Sequence, residues 1–533
     1  MFERAGLGLD TRIDALRPWQ DDVLTWALEL EAQQPGVLKL INAPTGSGKT
    51  LINAVYGLLT RQPWTYGVNT IRLQEQVAET FPGLLVLKGR RNFLCDISLP
   101  EYGKQTMADE GRCVAKEPCP HGPGGEETPC GYYAMLGSMF RSRHRTANYA
   151  MYLSMPPLKI PAKGKQSLTQ LLLADEAHNI EDAVCNHVQI TVNRRTAARF
   201  GIGLPWEGLD LPDWIQWGIN AKAKLPELVA EPGKLPDFGL KTLHENIGLL
   251  ASLDADDEWG KWVITGDEVR VQFQPIWGKD FAVPQLFGPV GEQTKKRPVR
   301  DALFTSATLM GADYYTDTLG LEPGSWAYYD MPSTFDPANR PVYYSPVVRM
   351  NAAALQPGEN ETRATMQTAV DNIIRWYFTH GVNAGLIHAV SNKYRDHILS
   401  ESRWRETMTS DVEEHTRRVK EGELSVLVAA NLAEGWDGAD DLCRFILMPK
   451  VPFPDLGDRR TKIRMAEDPR SYDHKALVTV VQGAGRGVRH QQDTCDTWIL
   501  DESWRMLYGK RREWLPESFM AAYKHNVKFF EEG

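Results

Sequence analysis

The sequence predicts an α/β protein with two parallel-sheet domains, the first interrupted by two smaller insertions. Three observations predict it. The apolar run Val37-Leu-Lys-Leu-Ile41 passes through a glycine-rich loop into the helical pattern Leu51-Ile-Asn-Ala-Val-Tyr-Gly-Leu-Leu59, the strand–loop–helix order of a parallel unit. A second buried-strand run, Leu171-Leu-Leu-Ala174, ends in two acids, Asp175 and Glu176. Beyond a proline-marked hinge at 331–339, strand and helix patterns alternate again: a helix at 362–380, then strand runs at 385–389, 425–429 and 445–448.

With 533 residues the chain is too long for one core. Its net charge of −9 excludes a protein coated in basic surface, yet leaves room for a locally positive cleft. No apolar run approaches the roughly 18 residues of a membrane span. The start, Met-Phe-Glu-Arg-Ala-Gly, lacks the apolar core of an export signal. With seven cysteines, an odd number, this points to a reducing cytoplasm.

Taken in order, Gln20 in Leu16-Arg-Pro-Trp-Gln20 comes first. Its amide offers the donor and acceptor that an adenine edge requires, although an exposed loop amide looks the same. In Ala43-Pro-Thr-Gly-Ser-Gly-Lys-Thr50, the backbone of Thr45, Gly46, Ser47 and Gly48 is expected to curl around a polyphosphate. The N-terminus of the following helix adds to that anion site. Lys49 would reach the β- and γ-phosphates and the Thr50 hydroxyl would ligate Mg2+. Next, Tyr66-Gly-Val-Asn-Thr70 reads as a strand whose end could hold a nucleic-acid phosphate through Thr70; a solvated helix start reads alike.

Between residues 88 and 133 the chain turns rich in Gly, Pro and Cys. Cys95, Cys113, Cys119 and Cys130 fall within 36 residues, separated by 17, 5 and 10 residues. A loop-rich segment of this kind needs a staple, and in a reducing compartment the staple is a metal centre. The loose spacing lacks the Cys-x2–4-Cys knuckle usual for zinc, so a 4Fe–4S cluster and zinc both stay open on spacing alone. Cys185, Cys443 and Cys495 are scattered and read as small buried hydrophobes.

At the end of the strand 171–174, Asp175 would hold Mg2+ and Glu176 would orient or deprotonate an attacking water. His178 could relay to a neighbouring domain. Residues 195–260 are expected to form a helical inserted subdomain, and 262–273 a hairpin around Gly266-Asp267. In Ala302-Leu-Phe-Thr-Ser-Ala-Thr308, Ser306 and Thr308 are placed to sense the acids. Finally, in Gln482-Gly-Ala-Gly-Arg-Gly-Val-Arg489 a continuous helix would put Gln482, Arg486 and Arg489 on one face. Three glycines there argue for close backbone approach across an interface, with the arginines acting as fingers on a nucleotide.

These motifs in this order, with Glu-Gly-Trp-Asp-Gly438, resemble the XPD/DinG family of superfamily-two DNA helicases from about residue 16 to 501. The resemblance implies an α/β fold of two RecA-like parallel-sheet motor domains with an inserted iron–sulfur cluster domain and a small helical arch domain. It divides the chain into motor domain 1 at 1–86, 146–194 and 261–335, a cluster insertion at 87–145, an arch at 195–260 and motor domain 2 at 336–533. It implies a 4Fe–4S cluster on the four cysteines, with ATP and Mg2+ as the other cofactors. Asp437 would join the nucleotide site. The expected protein is a cytoplasmic, monomeric ATP hydrolase that moves 5′ to 3′ on single-stranded or forked DNA, with no membrane partner. Duplex separation would fall near the cluster, where Arg90, Arg91 and Phe93 offer charge and a stacking face, or else support Cys95. Trp436 and Val68 depart from the family's commoner residues, and the arch is short. Two other classes stay open: a translocase or remodeller that separates no strands, and a zinc-stapled nucleic-acid-binding ATPase or scaffold.

Overall fold

A computed structural model of the chain describes residues 7–9, 15–98, 103, 105–115, 119–160, 166–205, 208–227, 237–258, 260–289, 298–333, 335–356, 358, 360–430, 436 and 438–529. Strands β1 (Leu38–Asn42), β2 (Trp64–Val68), β3 (Leu85–Leu87), β4 (His144–Asn148) and β5 (Leu171–Asp175) come first. They are followed by β6 (Ile190–Asn193), β7 (Trp262–Gly266) and β8 (Arg270–Pro275), then β9 (Asp301–Ser306) and β10 (Trp326–Asp330). β1–β5 join β9 and β10 in one seven-stranded sheet, ordered β10-β1-β9-β5-β2-β4-β3. Every pairing in it is parallel.

A second seven-stranded parallel sheet follows the hinge. Its strands are β11 (Val342–Val348), β12 (Ala384–His388), β13 (Met408–Thr409), β14 (Ser425–Ala429), β15 (Phe445–Met448), β16 (Asp496–Asp501) and β17 (Tyr523–Lys524). Their order is β13-β14-β12-β15-β16-β11-β17. Both sheets are covered on both faces, which is why their strands read as unbroken apolar runs. In β5, Leu172 and Ala174 enter the core on one face, and Leu171 and Leu173 the core on the other. In the second sheet Leu427 and Ile446 face one core, Val428 and Leu447 the opposite one.

The hairpin expected at 262–273 forms, but it pairs with neither large sheet. β8 lies between β6 and β7 in an antiparallel three-stranded sheet. Val192, Val271 and Phe273 of this sheet share a core with Trp214 and Ile247 of two helices. The inserted unit therefore has its own hydrophobic centre. The cysteine segment, in contrast, shows short turns at Arg90–Asn92 and Arg112–Ala115 among its described residues before helix Gly131–Arg141. Met135 and Met139 of that helix anchor it on the first domain's core. No helix among the described residues is long and apolar enough to cross a membrane.

Two buried histidines make the fold acid-sensitive. Burial, helped by Arg486, pushes His388 at the end of β12 down to about 4. Burial does the same to His474, against a bond to the Met310 carbonyl. An unfolded histidine titrates near 6.5, so between that pH and about 4 the unfolded chain binds protons that the native one refuses. Stability is therefore lost as pH falls through this window, by about 1.4 kcal/mol per pH unit for each histidine. Thermal midpoints measured from pH 7 to pH 5 should fall steadily, and the slope should be shallower in His388→Leu.

Candidate active site

The carboxyl ends of β1, β5 and β9 and the loops after them build the first wall. Helices α1 (Pro18–Gln33), α2 (Lys49–Leu59) and α3 (Ile71–Thr80) support it. The loop from β1 to α2 turns on Gly46 and Gly48, whose φ values are +78° and +83°. A Cβ on Gly46 would sit 2.4 Å from the Phe335 ring, and one on Gly48 2.2 Å from Gln20 Nε2. Only glycine meets both demands here. Buried Gln20 braces the loop: its amide donates to the Ser47 carbonyl at 3.0 Å and accepts from the Arg17 N–H at 2.9 Å. The amide expected to read an adenine is thus engaged with the phosphate loop and the α1 N-terminus, keeping one hydrogen and one lone pair.

At the end of β5, Asp175 accepts from the Tyr66 hydroxyl at 3.0 Å, the Glu176 N–H at 2.9 Å and the Thr305 hydroxyl at 3.4 Å. Burial pushes its carboxyl up, neighbouring Glu176 adds to this, and Lys49 opposes both. Glu176 has φ of +51°, a left-handed backbone that costs a non-glycine residue about 1–2 kcal/mol. The surrounding structure holds it: Tyr149 donates to the Asp175 carbonyl at 2.6 Å. Lys49 Nζ lies 3.9 Å from Glu176 and donates to the Ala43 carbonyl at 3.5 Å.

His178 joins this wall to the second domain. Its Nδ1 is 2.7 Å from Ser306 Oγ and 3.5 Å from Glu176 Oε2, and its Nε2 is 2.6 Å from Gln482 Nε2. The Gln482 amide can only donate there, which assigns the ring proton to Nδ1. Ser306 also donates to Glu176 at 3.3 Å, and Gln482 to Thr308 at 3.4 Å.

Gln482 lies in the last turn of the helix Arg470–Ala484, and that helix ends before the arginines. Arg486 and Arg489 therefore share no helical face, a correction to the pattern reading. The glycines are the reason. A Cβ on Gly487 would fall 2.1 Å from Cys495 Sγ, and one on Gly485 3.5 Å from Thr45 Oγ1, so the chain leaves the helix and runs over the phosphate loop. Arg486 donates to the Trp436 carbonyl at 3.2 Å, and the Arg489 N–H donates to Asp493 at 3.0 Å. The result is a cleft of about 370 Å³. Thr45, Gly46, Gly48, Lys49, Thr50, Asp175, Glu176 and His178 line one side, and Gln482, Arg486 and Arg489 the other. Ser47 is buried behind its loop, and Asp437 lies outside the described residues.

The nucleic-acid candidates are differently placed. The Thr70 hydroxyl caps α3, accepting from the Leu73 N–H at 3.2 Å. Arg90 lies 5.0 Å over the Tyr132 ring and 3.9 Å from Cys113 Sγ, and Phe93 meets Tyr132 edge-on at 5.9 Å. Both lean on the cysteine segment. Arg91 is exposed and pairs with Asp109 at 3.3 Å. Cys95 and Cys130 are buried, Cys113 and Cys119 partly so, and none of the four is in a disulfide among the described residues. Sequence reasoning missed Tyr66, Tyr149, Thr305 and Phe335. Each reaches the site from a different strand or loop, and no local pattern marks it.

The two sheets and their shared cleft define a class: an α/β protein with paired RecA-like domains facing each other across a phosphate loop. Residues 380–521 match a family model described as a helicase C-terminal domain. A stretch of 159 residues is 26% identical to the ATP-dependent DNA helicase XPD of Sulfolobus acidocaldarius, covering 26% of this chain and 28% of that protein. The match thus spans little more than a quarter of the relative's length. In fold the chain is similar to a solved structure called XPD_Helicase, with TM-score 0.57 and 16% identity over 96% of this chain and 100% of that one. It is also similar to S. tokodaii Xpd4, with TM-score 0.56 and 14% identity over the same shares. Residues 380–521 thus match a helicase C-terminal domain, and the chain as a whole is similar in fold to XPD structures.

The phosphate loop gives a direct test. Gly48→Ala forces a Cβ into both a left-handed backbone and the Gln20 amide, so chemical denaturation should read a loss of about 1–2 kcal/mol. Adding Gln20→Ala removes the steric part, and the double variant should lose less than the two single losses summed.

Proposed function

We propose that the protein is an ATP-dependent DNA helicase that translocates 5′ to 3′ on single-stranded DNA and opens duplex or forked DNA. One observation carries the proposal: a single cleft takes Lys49, Asp175 and Glu176 from one domain and Gln482, Arg486 and Arg489 from the other. A triphosphate held there would be cradled by loop N–H groups and Lys49. Mg2+ would neutralise charge developing on the phosphates, with Thr50 and Asp175 as its holders. Glu176, beside neutral His178, would orient the attacking water and take its proton. Arg486 and Arg489 would approach the same phosphates when the cleft closes, so hydrolysis and domain closure become one event. The hydrogen-bond path Glu176–Ser306–His178–Gln482 gives that coupling a route. Direction and DNA preference rest on the family likeness.

The four cysteines would hold a 4Fe–4S cluster, which would serve as a staple for a segment with little core. Gly111 supports this fit, since a Cβ there would lie 2.9 Å from Cys95 Sγ.

Lys49→Ala and Glu176→Gln should each abolish DNA-stimulated ATP hydrolysis, and a 5′-tailed duplex should be opened where a 3′-tailed one is not. Equal opening of both tails overturns the direction, and DNA-stimulated hydrolysis without strand separation favours a translocase. Anaerobically purified protein should be yellow-brown and Cys113→Ser colourless; a colourless parent carrying stoichiometric zinc overturns the cluster.

A further inference from the structure

Helix α4 (Ile180–Val188) starts two residues after His178, and helix α5 (Arg459–Glu467) belongs to the second domain. One stripe of α5, at helical i and i+4 spacing, lies along the base of the inserted hairpin. Ile463 packs with Val263, Ile276 and Trp277. Arg459 donates to the Ile264 carbonyl at 2.9 Å and Arg460 to the Ile276 carbonyl at 3.3 Å. Glu467 accepts from the Trp277 indole at 2.5 Å. Beside this stripe, Arg464 lies 4.2 Å over the Trp277 ring and pairs with Glu181 at 2.5 Å. Both charged side chains of the pair are only 14% exposed. Glu181 also accepts the Gly278 N–H at 3.1 Å, where the chain leaves the hairpin. Next to it Asp182 meets Lys475 at 2.6 Å and Arg460 at 3.9 Å. Burial alone would raise the Asp182 carboxyl, but Lys475, Arg460 and Arg464 together hold it down to about 2.

We propose that α5 is a coupling arm that carries the inserted three-stranded unit along as the cleft closes and opens, with Arg464 as its positioning residue. This rests on the motor reading above. Removing one partner of a buried ion pair strands the other, which is strongly unfavourable. Domain separation would pull Arg464 from Glu181, so the pair favours the closed arrangement in which Glu176 and Arg486 share one cleft. The hairpin keeps its apolar and hydrogen-bonded stripe on α5, whereas its exit reaches α4 through Gly278 and the same Glu181 carboxylate. As the domains part, the insertion is therefore drawn toward the second domain. ATP turnover would change the angle of the insertion over the first domain.

The test places a donor–acceptor dye pair on the insertion at residue 248 and on the first domain at residue 72, in the full chain. A fluorescent non-hydrolysable ATP analogue reports binding separately. In the parent, the analogue should shift this distance; in Arg464→Met the shift should vanish while analogue affinity stays within about twofold. DNA stimulation of ATPase should fall about tenfold with basal rate kept, in the range of a typical coupling energy. Trp277→Phe, which keeps the ring and loses the indole N–H, should give an intermediate loss should Arg464→Met not fold. The charge swap Glu181→Arg with Arg464→Glu should restore part of the shift. An analogue that binds the parent without moving the insertion, or moves it equally in both variants, overturns the coupling and leaves the motor reading standing. An analogue that does not bind overturns both.

Discussion

The polar path from Glu176 through His178 to Gln482 is the constraint on which the site depends. It joins the end of a strand in one sheet to the last turn of a helix in the other domain. Along this path His178 Nδ1 faces Ser306, and Glu176 sits in a left-handed backbone that turns its carboxylate toward Ser306 and Lys49. Local strain is thereby held by tertiary contacts, of which the Tyr149 bond to the Asp175 carbonyl is one.

The same economy recurs around the phosphate loop. Phe335, Gln20 and the Arg489 carbonyl crowd Gly46 and Gly48 so closely that no side chain fits. Phe335 comes from the hinge and Arg489 from the second domain, so the loop is shaped by contacts far away in sequence. Closure of the two halves and preorganisation of the anion site are then two descriptions of one packing problem. Helix α5 extends it outward, because Glu181 and Asp182, which follow the Asp-Glu-Ala-His motif, meet Arg464 and Arg460 on a helix that also grips the insertion.

Several elements were legible before any coordinates. The apolar runs at 171–174, 425–429 and 445–448 are buried strands, and the hairpin around Gly266 is present. Lys49, Asp175, Glu176, Gln482, Arg486 and Arg489 do line one cleft. The readings that changed did so for identifiable reasons. The helix expected to run through Arg489 stops at Ala484, and beyond it Gly487 packs so tightly on Cys495 that no side chain would fit. Thr70 caps α3, and Arg90 and Phe93 lean on Cys113 and Tyr132, structural roles that the sequence held open beside nucleic-acid contact.

Sequence by itself determined the two parallel-sheet domains, the phosphate loop, the acidic strand end and the clustering of cysteines. Each of these is written in a local pattern of a few residues, and local patterns survive without knowledge of their neighbours. Only the tertiary structure decided that the hairpin pairs with Ile190–Asn193, that Tyr66 and Thr305 hold Asp175, and that Arg464 bridges Glu181 and Trp277. Those are meetings of residues tens to hundreds of positions apart, and their energy comes from burying polar and apolar groups together, which no short stretch of chain encodes alone.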